Sequence, residues 1–288
     1  MRRLILLTLL TIFLAPSVRS NTANEILLGK YDALIGERKL AFTVGRDDAN
    51  SAFAFNASTD KQVSPFSTFK ILNTVIALEN GVASGPDFAL PYDAKRNPKY
   101  DWWPREWAQD QTLASAFKRS AVWYYQELAR RIGEDRYRAA FKKYNFGNGD
   151  ISGGVNQFWL SSSLKISPTQ YRVFLQALRE GEFGVSQRTI DVLDGISLIE
   201  SADGHSLHGK TGAGPIERAN TDDPLLAFKG KFGGWLVGWV TRPEKKPIYF
   251  ALYCEGPDFA SIAKFRSEMA RRLLVDQGYL PLSLAPKP

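Results

Sequence analysis

Residues 65–81 read Pro-Phe-Ser-Thr-Phe-Lys-Ile-Leu-Asn-Thr-Val-Ile-Ala-Leu-Glu-Asn-Gly: a proline lead-in, a serine and a lysine three apart, an apolar run and a glycine stop. The run predicts a helix from about Thr68 to Asn80 that ends at Gly81. Ser67 then stands at a helix start, where unpaired backbone N–H groups are available to an oxyanion. Lys70 lies among Phe69, Ile71 and Leu72, so the same reading buries it. Residues three apart share a helix face, and a neutral Lys70 there can take the Ser67 proton. The Ser-x-x-Lys pattern by itself is uninformative, because the chain holds five, beginning at Ser58, Ser67, Ser115, Ser162 and Ser261. Context singles out Ser67: Ser58 has Asp60 beside it in a polar turn, and Ser115 and Ser261 fall in charged helices.

Upstream of this helix, Leu40 to Val44 and Ser51 to Phe55 read as strands. Downstream, helical patterns cover Leu113 to Lys118, Ala121 to Ile132, Glu134 to Tyr144, Thr169 to Arg179 and about Ser186 to Glu200. Strands return at Ser206 to Thr211, Trp235 to Thr241 and Ile248 to Glu255, and a closing helix runs from Ile262 to Gln277. The expected fold is therefore α+β: one central antiparallel sheet assembled from both termini, flanked by helices, with a mostly helical region (about 68–200) inserted in the middle. Tyr92 to Trp107, rich in Trp, Pro and charge, reads as a long packed loop; its Trp102, Trp103 and Trp107 suit cleft lining, and buried packing at least as well.

The chain of 288 residues is 44% hydrophobic and 23% charged, an ordinary globular composition. Arg2 and Arg3 precede an apolar run from Leu4 to Ala15, and Val18 and Ser20 fit the −3 and −1 positions of a signal-peptidase site. A secretory leader over 1–20 cleaved after Ser20, a single domain over 21–288 and a periplasmic location are expected. Loss of Arg2, Arg3 and Arg19 lowers the net charge from +7 to +4. The remaining basic residues are scattered pairs, a poor match to nucleic acid. No second apolar stretch is long enough to span a bilayer, so no membrane partner is expected after cleavage. One cysteine, Cys254, read as core, allows no intramolecular disulfide and no Zn–Cys or iron–sulfur cluster. His205 and His208 are three apart on a strand and face opposite ways, so no metal is expected.

Two further motifs stand out. Lys210-Thr211-Gly212 is the only Lys-[Ser/Thr]-Gly in the chain, on a strand where a glycine admits close approach. Ser120-Ala121-Val122 opens the helix that follows. In the order Ser67-x-x-Lys70, Ser120-Ala121-Val122, Lys210-Thr211-Gly212, the set resembles the active site of the penicillin-recognising serine enzymes, most closely the class D (oxacillinase-type) β-lactamases. The likeness extends to Tyr124 through Ala129, Phe158-Trp159-Leu160, Leu164 through Ser167, and Gly234 through Val240.

The resemblance implies hydrolysis of β-lactam antibiotics through an acyl-enzyme on Ser67, with Ser120 relaying a proton to the lactam nitrogen and Lys210 adding positive charge. The backbone N–H groups of Ser67 and Ala213 would form the oxyanion hole, and Thr211 with Arg266 would bind the substrate carboxylate. The Ser-Asp-Asn and Glu-x-x-Leu-Asn of class A and the Tyr-x-Asn of class C are absent, which leaves Lys70 as the base. A lysine with an ordinary pKa of about 10.4 is neutral near pH 7 only if burial, here against Phe69, Val122, Trp159 and Leu160, disfavours the cation by roughly 4 to 5 kcal/mol. The family further implies that Lys70 is carbamylated (N6-carboxylysine) by CO2 or bicarbonate, and that Trp159 donates a hydrogen bond to the carbamate.

This chain departs from the family at two points. Phe146-Gly147-Asn148 stands where the family has Tyr-Gly-Asn, which leaves Tyr144 as the nearby tyrosine. The segment from Gly212 to Gly233, with Pro215, Glu217, Arg218, Asp222, Asp223 and Pro224, is longer than in many relatives. Two rival readings are a β-lactam-sensing receptor domain and a penicillin-binding transpeptidase or carboxypeptidase. Monomer and homodimer are both compatible with the sequence.

Overall fold

The computed structural model describes residues 29–46, 49–217 and 230–287. Residues 1–20, and Arg218, Asp222, Asp223 and Pro224 of the long segment, lie outside these.

The sheet has six strands: β1 (Lys39–Arg46), β2 (Ala49–Phe55), β5 (Leu198–Ala202), β6 (His205–Pro215), β7 (Phe232–Arg242) and β8 (Lys245–Gly256). Their spatial order is β2-β1-β8-β7-β6-β5, and every neighbouring pair is antiparallel. The last strand in sequence thus lies beside the first, as expected of a sheet built from both termini. A separate pair, β3 (Ala89–Leu90) and β4 (Gln111–Thr112), brackets the Tyr92 to Trp107 loop.

Strands β7 and β8 are apolar on both faces because helices cover both. One face presents Trp235, Val237, Trp239, Tyr249 and Ala251 to the helical layer. The other presents Leu236, Val240, Phe250, Leu252 and Cys254 to Met269, Leu273 and Leu274 of the last helix. Cys254 is fully buried, and that burial pushes its thiol up to about 12.

In chain order the helices are α1 (Asp32–Ile35), α2 (Lys70–Glu79), α3 (Leu113–Arg119), α4 (Val122–Ile132), α5 (Glu134–Tyr144), α6 (Pro168–Arg179), α7 (Gln187–Ser197), α8 (Phe259–Ala263) and α9 (Phe265–Asp276). Ser167 caps α6 by accepting from the Gln170 N–H, with Pro168 in the first turn.

Three sequence expectations need correction. The helix expected over Ser186 to Glu200 stops at Ser197, and Leu198–Ala202 becomes the edge strand β5. A turn with Asp203 and Gly204 at positive φ folds this segment back on β6, and ladder pairing overrides the helical pattern. The closing helix is broken at Lys264 into α8 and α9, with Asp258 capping the first piece through the Ser261 N–H. The helix after Ser67 begins as a 3-10 turn over Phe66–Phe69 before α2.

Candidate active site

Proline at 65 and a left-handed Phe66 (φ 50°) start the 3-10 turn and set Ser67 on the sheet edge rather than in a smooth helix start. Strand β6 lies directly against this turn. A Cβ on Gly212 would sit 2.9 Å from the Pro65 carbonyl oxygen, 3.0 Å from the Thr68 nitrogen and 3.1 Å from the Ser67 nitrogen. At Gly214 it would meet the Phe66 ring at 2.6 Å. Gly212 is what allows a backbone-to-backbone approach here, and Gly214 makes room for the Phe66 ring.

Lys70 opens α2 with its side chain fully buried, and its Nζ donates to Ser67 Oγ at 2.8 Å. Burial, and secondarily the charge of Lys210, hold its pKa well below the lysine range. Among the described residues no carboxylate pairs with it, and its Nζ lies 5.2 Å from the centre of the Tyr125 ring. The other serines and lysines in this spacing have different partners. Ser58 Oγ accepts from the Asp60 N–H at 3.2 Å, Ser115 Oγ donates to Gln111 at 2.8 Å, and Ser261 Oγ donates to the Asp258 carbonyl at 2.7 Å. Lys165 donates to Ser64, not Ser162.

Alternation along β6 sorts the second motif. Lys210 pairs with Val237 and Gly212 with Trp235, so both face the helical layer and Ser67. Thr211 pairs with Leu236 and Ala213 with Gly234, so both face α9. Lys210 is 4% exposed, lies 5.7 Å from the Phe117 ring centre, and is brought down to about 7 by burial and then by Arg266.

Ser120 ends α3 in the left-handed conformation (φ 59°), an uncommon posture for a non-glycine residue. It forms the reversal between α3, which carries Phe117 under Lys210, and α4, which carries Tyr125 beside Lys70. Arg266 in α9 has its Cδ 3.4 Å from where a Gly234 Cβ would be, below Ala213. Its Nε and Nη1 are buried without a hydrogen-bond partner among the described residues, and burial lowers its pKa. A buried guanidinium with two unpartnered nitrogens fits an anionic ligand.

Trp159 and Phe69 are fully buried and stack at 5.5 Å beneath the site, and Trp159 Nε1 has no partner among the described residues. A buried indole N–H without an acceptor is costly. Ser67, Val122, Leu160 and Ala213 line a cleft of about 560 Å³, together with Trp102, Trp103 and Trp107 of the loop; Trp103 and Trp107 are also buried in the core, so both readings of these two hold, and of the three only Trp102 is exposed. Sequence reading missed the polar lining: Arg96, Gln126, Arg130 and Asn156. Val122, Gln126 and Arg130, four apart on a predicted helix, carried a signal for it.

Phe146 is buried in an aromatic cluster, 4.8 Å from Phe174 and 5.9 Å from Phe69. Tyr144 does not stand in for the family tyrosine: its ring packs on Phe183 at 5.2 Å, away from the cleft lining, and burial pushes it up to about 12. His208 stacks on Trp239 at 5.3 Å, while His205 Nδ1 sits 2.9 Å from the Asp203 carbonyl oxygen at the hairpin turn. No group of three or more His, Cys, Asp or Glu is placed to hold a metal among the described residues.

Comparison with known proteins agrees with this geometry. Residues 36–274 match the family described as penicillin binding protein transpeptidase domain. A probable β-lactamase of Bacillus subtilis, YbxI, is 37% identical over 204 residues, 69% of this chain and 68% of its own. The solved class D β-lactamase YbXI from Nostoc superposes with a TM-score of 0.74 at 32% identity, covering 88% of this chain and 99% of that one. The C-terminal domain of the Bacillus licheniformis BlaR penicillin-receptor superposes equally well, TM-score 0.74 at 26% identity, covering 90% and 96%. The chain belongs to the penicillin-binding-protein transpeptidase-domain family and, within it, to the class D serine β-lactamases.

Proposed function

We propose that this protein hydrolyses penicillin-type β-lactams through an acyl-enzyme on Ser67 and so confers resistance to them. The observation that carries the reading is a fully buried lysine, without an acid partner, donating to a serine at the floor of a cleft. Held neutral, Lys70 can accept the Ser67 proton as Oγ attacks the lactam carbonyl. The N–H groups of Ser67 and Ala213 receive the developing oxyanion. Ser120 passes a proton to the departing lactam nitrogen, and Lys210, charged at or below about pH 7, favours that transfer. Thr211 and Arg266 hold the substrate carboxylate, which gives the unpartnered guanidinium nitrogens their acceptors.

A neutral amine also suits reaction with CO2, and the partnerless Trp159 Nε1 in the same buried layer is a donor suited to an added carboxylate. Lys70 would bear the carbamate and Trp159 would orient it; when present, the group supplies the general base for acylation and deacylation. No metal enters this scheme. We further propose that the leader is cleaved after Ser20 and that the enzyme works in the periplasm, which N-terminal sequencing of the exported protein tests.

The likeness to a penicillin-receptor domain favours one alternative, acylation without turnover. Turnover of benzylpenicillin by the purified protein, stripped of CO2 and then supplied with bicarbonate, beside Lys70→Ala, separates the two. Repeated turnover that rises with bicarbonate and vanishes in the variant supports hydrolysis. One covalent equivalent with no further reaction, bicarbonate included, identifies a receptor.

A further inference from the structure

The cleft mouth has a charge that the proposed chemistry does not use. Arg96, from the Tyr92 to Trp107 loop, and Arg130, from α4, both line it, and among the described residues no aspartate or glutamate does. Both guanidiniums lean on one carboxylate: Glu127 Oε2 is 3.4 Å from Arg96 Nε and 2.9 Å from Arg130 Nη1. Arg131 shares the same residue at 3.7 Å from outside the cleft, over the Phe88 ring. One carboxylate cannot neutralise three guanidiniums, so the mouth keeps a positive surplus.

The wall beside these arginines is aromatic. Tyr100 and Trp102 stack at 5.9 Å and 9°, with 41% and 37% of their surfaces exposed, and Trp103 packs edge-on against Trp102 at 6.1 Å. Exposed stacked rings beside surplus cations make a surface for a ring that carries its own negative charge.

We infer that this end of the cleft selects β-lactams whose acyl side chain bears an aromatic ring and an additional carboxylate. The inference rests on the β-lactam reading of the site. Ser67, Trp102, Arg96 and Arg130 line one cleft, so the acyl arm of a lactam held at Ser67 shares it with the guanidiniums that would meet the second carboxylate. Attraction between partly exposed charges is screened by salt, so the preference weakens as ionic strength rises.

The test compares α-carboxybenzylpenicillin with benzylpenicillin, which differ by that one carboxylate. The readout is the ratio of their kcat/KM values or, if turnover is absent, of their Ser67 acylation rates measured by mass spectrometry. In the wild type the ratio falls several-fold between low and high salt. The Arg96→Gln/Arg130→Gln double variant lowers it about tenfold, equivalent to about 1.4 kcal/mol, and abolishes its salt dependence. Glu127→Gln raises the ratio by exposing more of the surplus, and Arg131→Gln, which leaves Glu127 to the two lining arginines, lowers it less than the double variant does. A ratio that is insensitive to salt and to the double substitution overturns the inference and leaves the hydrolytic reading intact. Loss of turnover with the acylation ratio preserved refutes hydrolysis and keeps the inference.

Discussion

Replacing Gly212 with alanine probes the contact on which the proposed oxyanion hole depends. The new methyl would face the Pro65 oxygen at 2.9 Å, the Thr68 nitrogen at 3.0 Å and the Ser67 nitrogen at 3.1 Å, all backbone atoms that no rotamer change can move. Restoring an ordinary contact of 3.4 Å requires β6 and the Ser67 turn to separate by about 0.5 Å. Oxyanion donors act within about 2.7–3.1 Å, so a shift of that size takes one of the Ser67 and Ala213 N–H groups out of range. Loss of one such donor lowers kcat by about 10²–10³-fold. Overpacking adds about 1–3 kcal/mol of destabilisation, seen as a fall in Tm of roughly 2–4 °C for each kcal/mol. Stopped-flow acylation and thermal unfolding measure the two effects. Gly195→Ala is the control: it lies within α7 with nothing inside 4 Å and gains about 0.5–1 kcal/mol of helix stability. An acylation rate within about threefold of wild type, with an unchanged Tm, would refute the reasoning.

Other substitutions separate chemistry from stability. Lys210→Met removes a buried amine whose pKa falls from about 10.4 in the unfolded chain to about 7 in the folded one. The unfolded chain therefore holds the extra proton between those values, and wild-type stability rises with pH across that window. Lys210→Met is expected to melt higher than wild type at pH 7, with the gap closing toward pH 10, while kcat falls. Arg266→Ala should raise KM about 10- to 100-fold, the worth of a hydrogen bond to a charged group, and lower Tm modestly through the lost packing over the Phe259 ring. Trp159→Phe should raise the bicarbonate concentration needed for half-maximal activity about tenfold, with weaker carbamate intensity in carbon-13 spectra. Phe146→Tyr buries a hydroxyl among Phe69, Tyr171 and Phe174; urea unfolding should show a loss of about 1–3 kcal/mol.

Local signals carried much of the fold into the sequence. The capped start of α6 at Ser167-Pro168 and the apolar runs of β7 and β8 were legible because each element's own residues specify it. β5 was not, since Leu198 and Ile199 are exposed and become a strand only through pairing with β6. The Ser67 and Lys70 pairing was legible from helical spacing, whereas Arg266 could be assigned only through family likeness, because α9 meets β7 by tertiary packing. Arg96 and Arg130 belong to segments more than thirty residues apart, and only the folded loop brings both to one cleft.

The pairing of β1 with β8 also governs when the protein can exist. Val44 finds Phe250 only after about 200 intervening residues have been made, which at ribosomal speeds of about 5–20 residues per second takes some tens of seconds or less. Arg266 emerges later still. A growing chain can form the helices between α2 and α7 early, but it holds an open sheet edge and an incomplete cleft until its last strand and helix arrive. An unpaired sheet edge of this kind is what the proposed export would require of a chain still being threaded. Ribosome-bound chains halted before Lys245 should therefore be protease-sensitive over β1 and fail to acylate with a fluorescent penicillin, whereas chains extended past Asp276 and clear of the exit tunnel should resist and label.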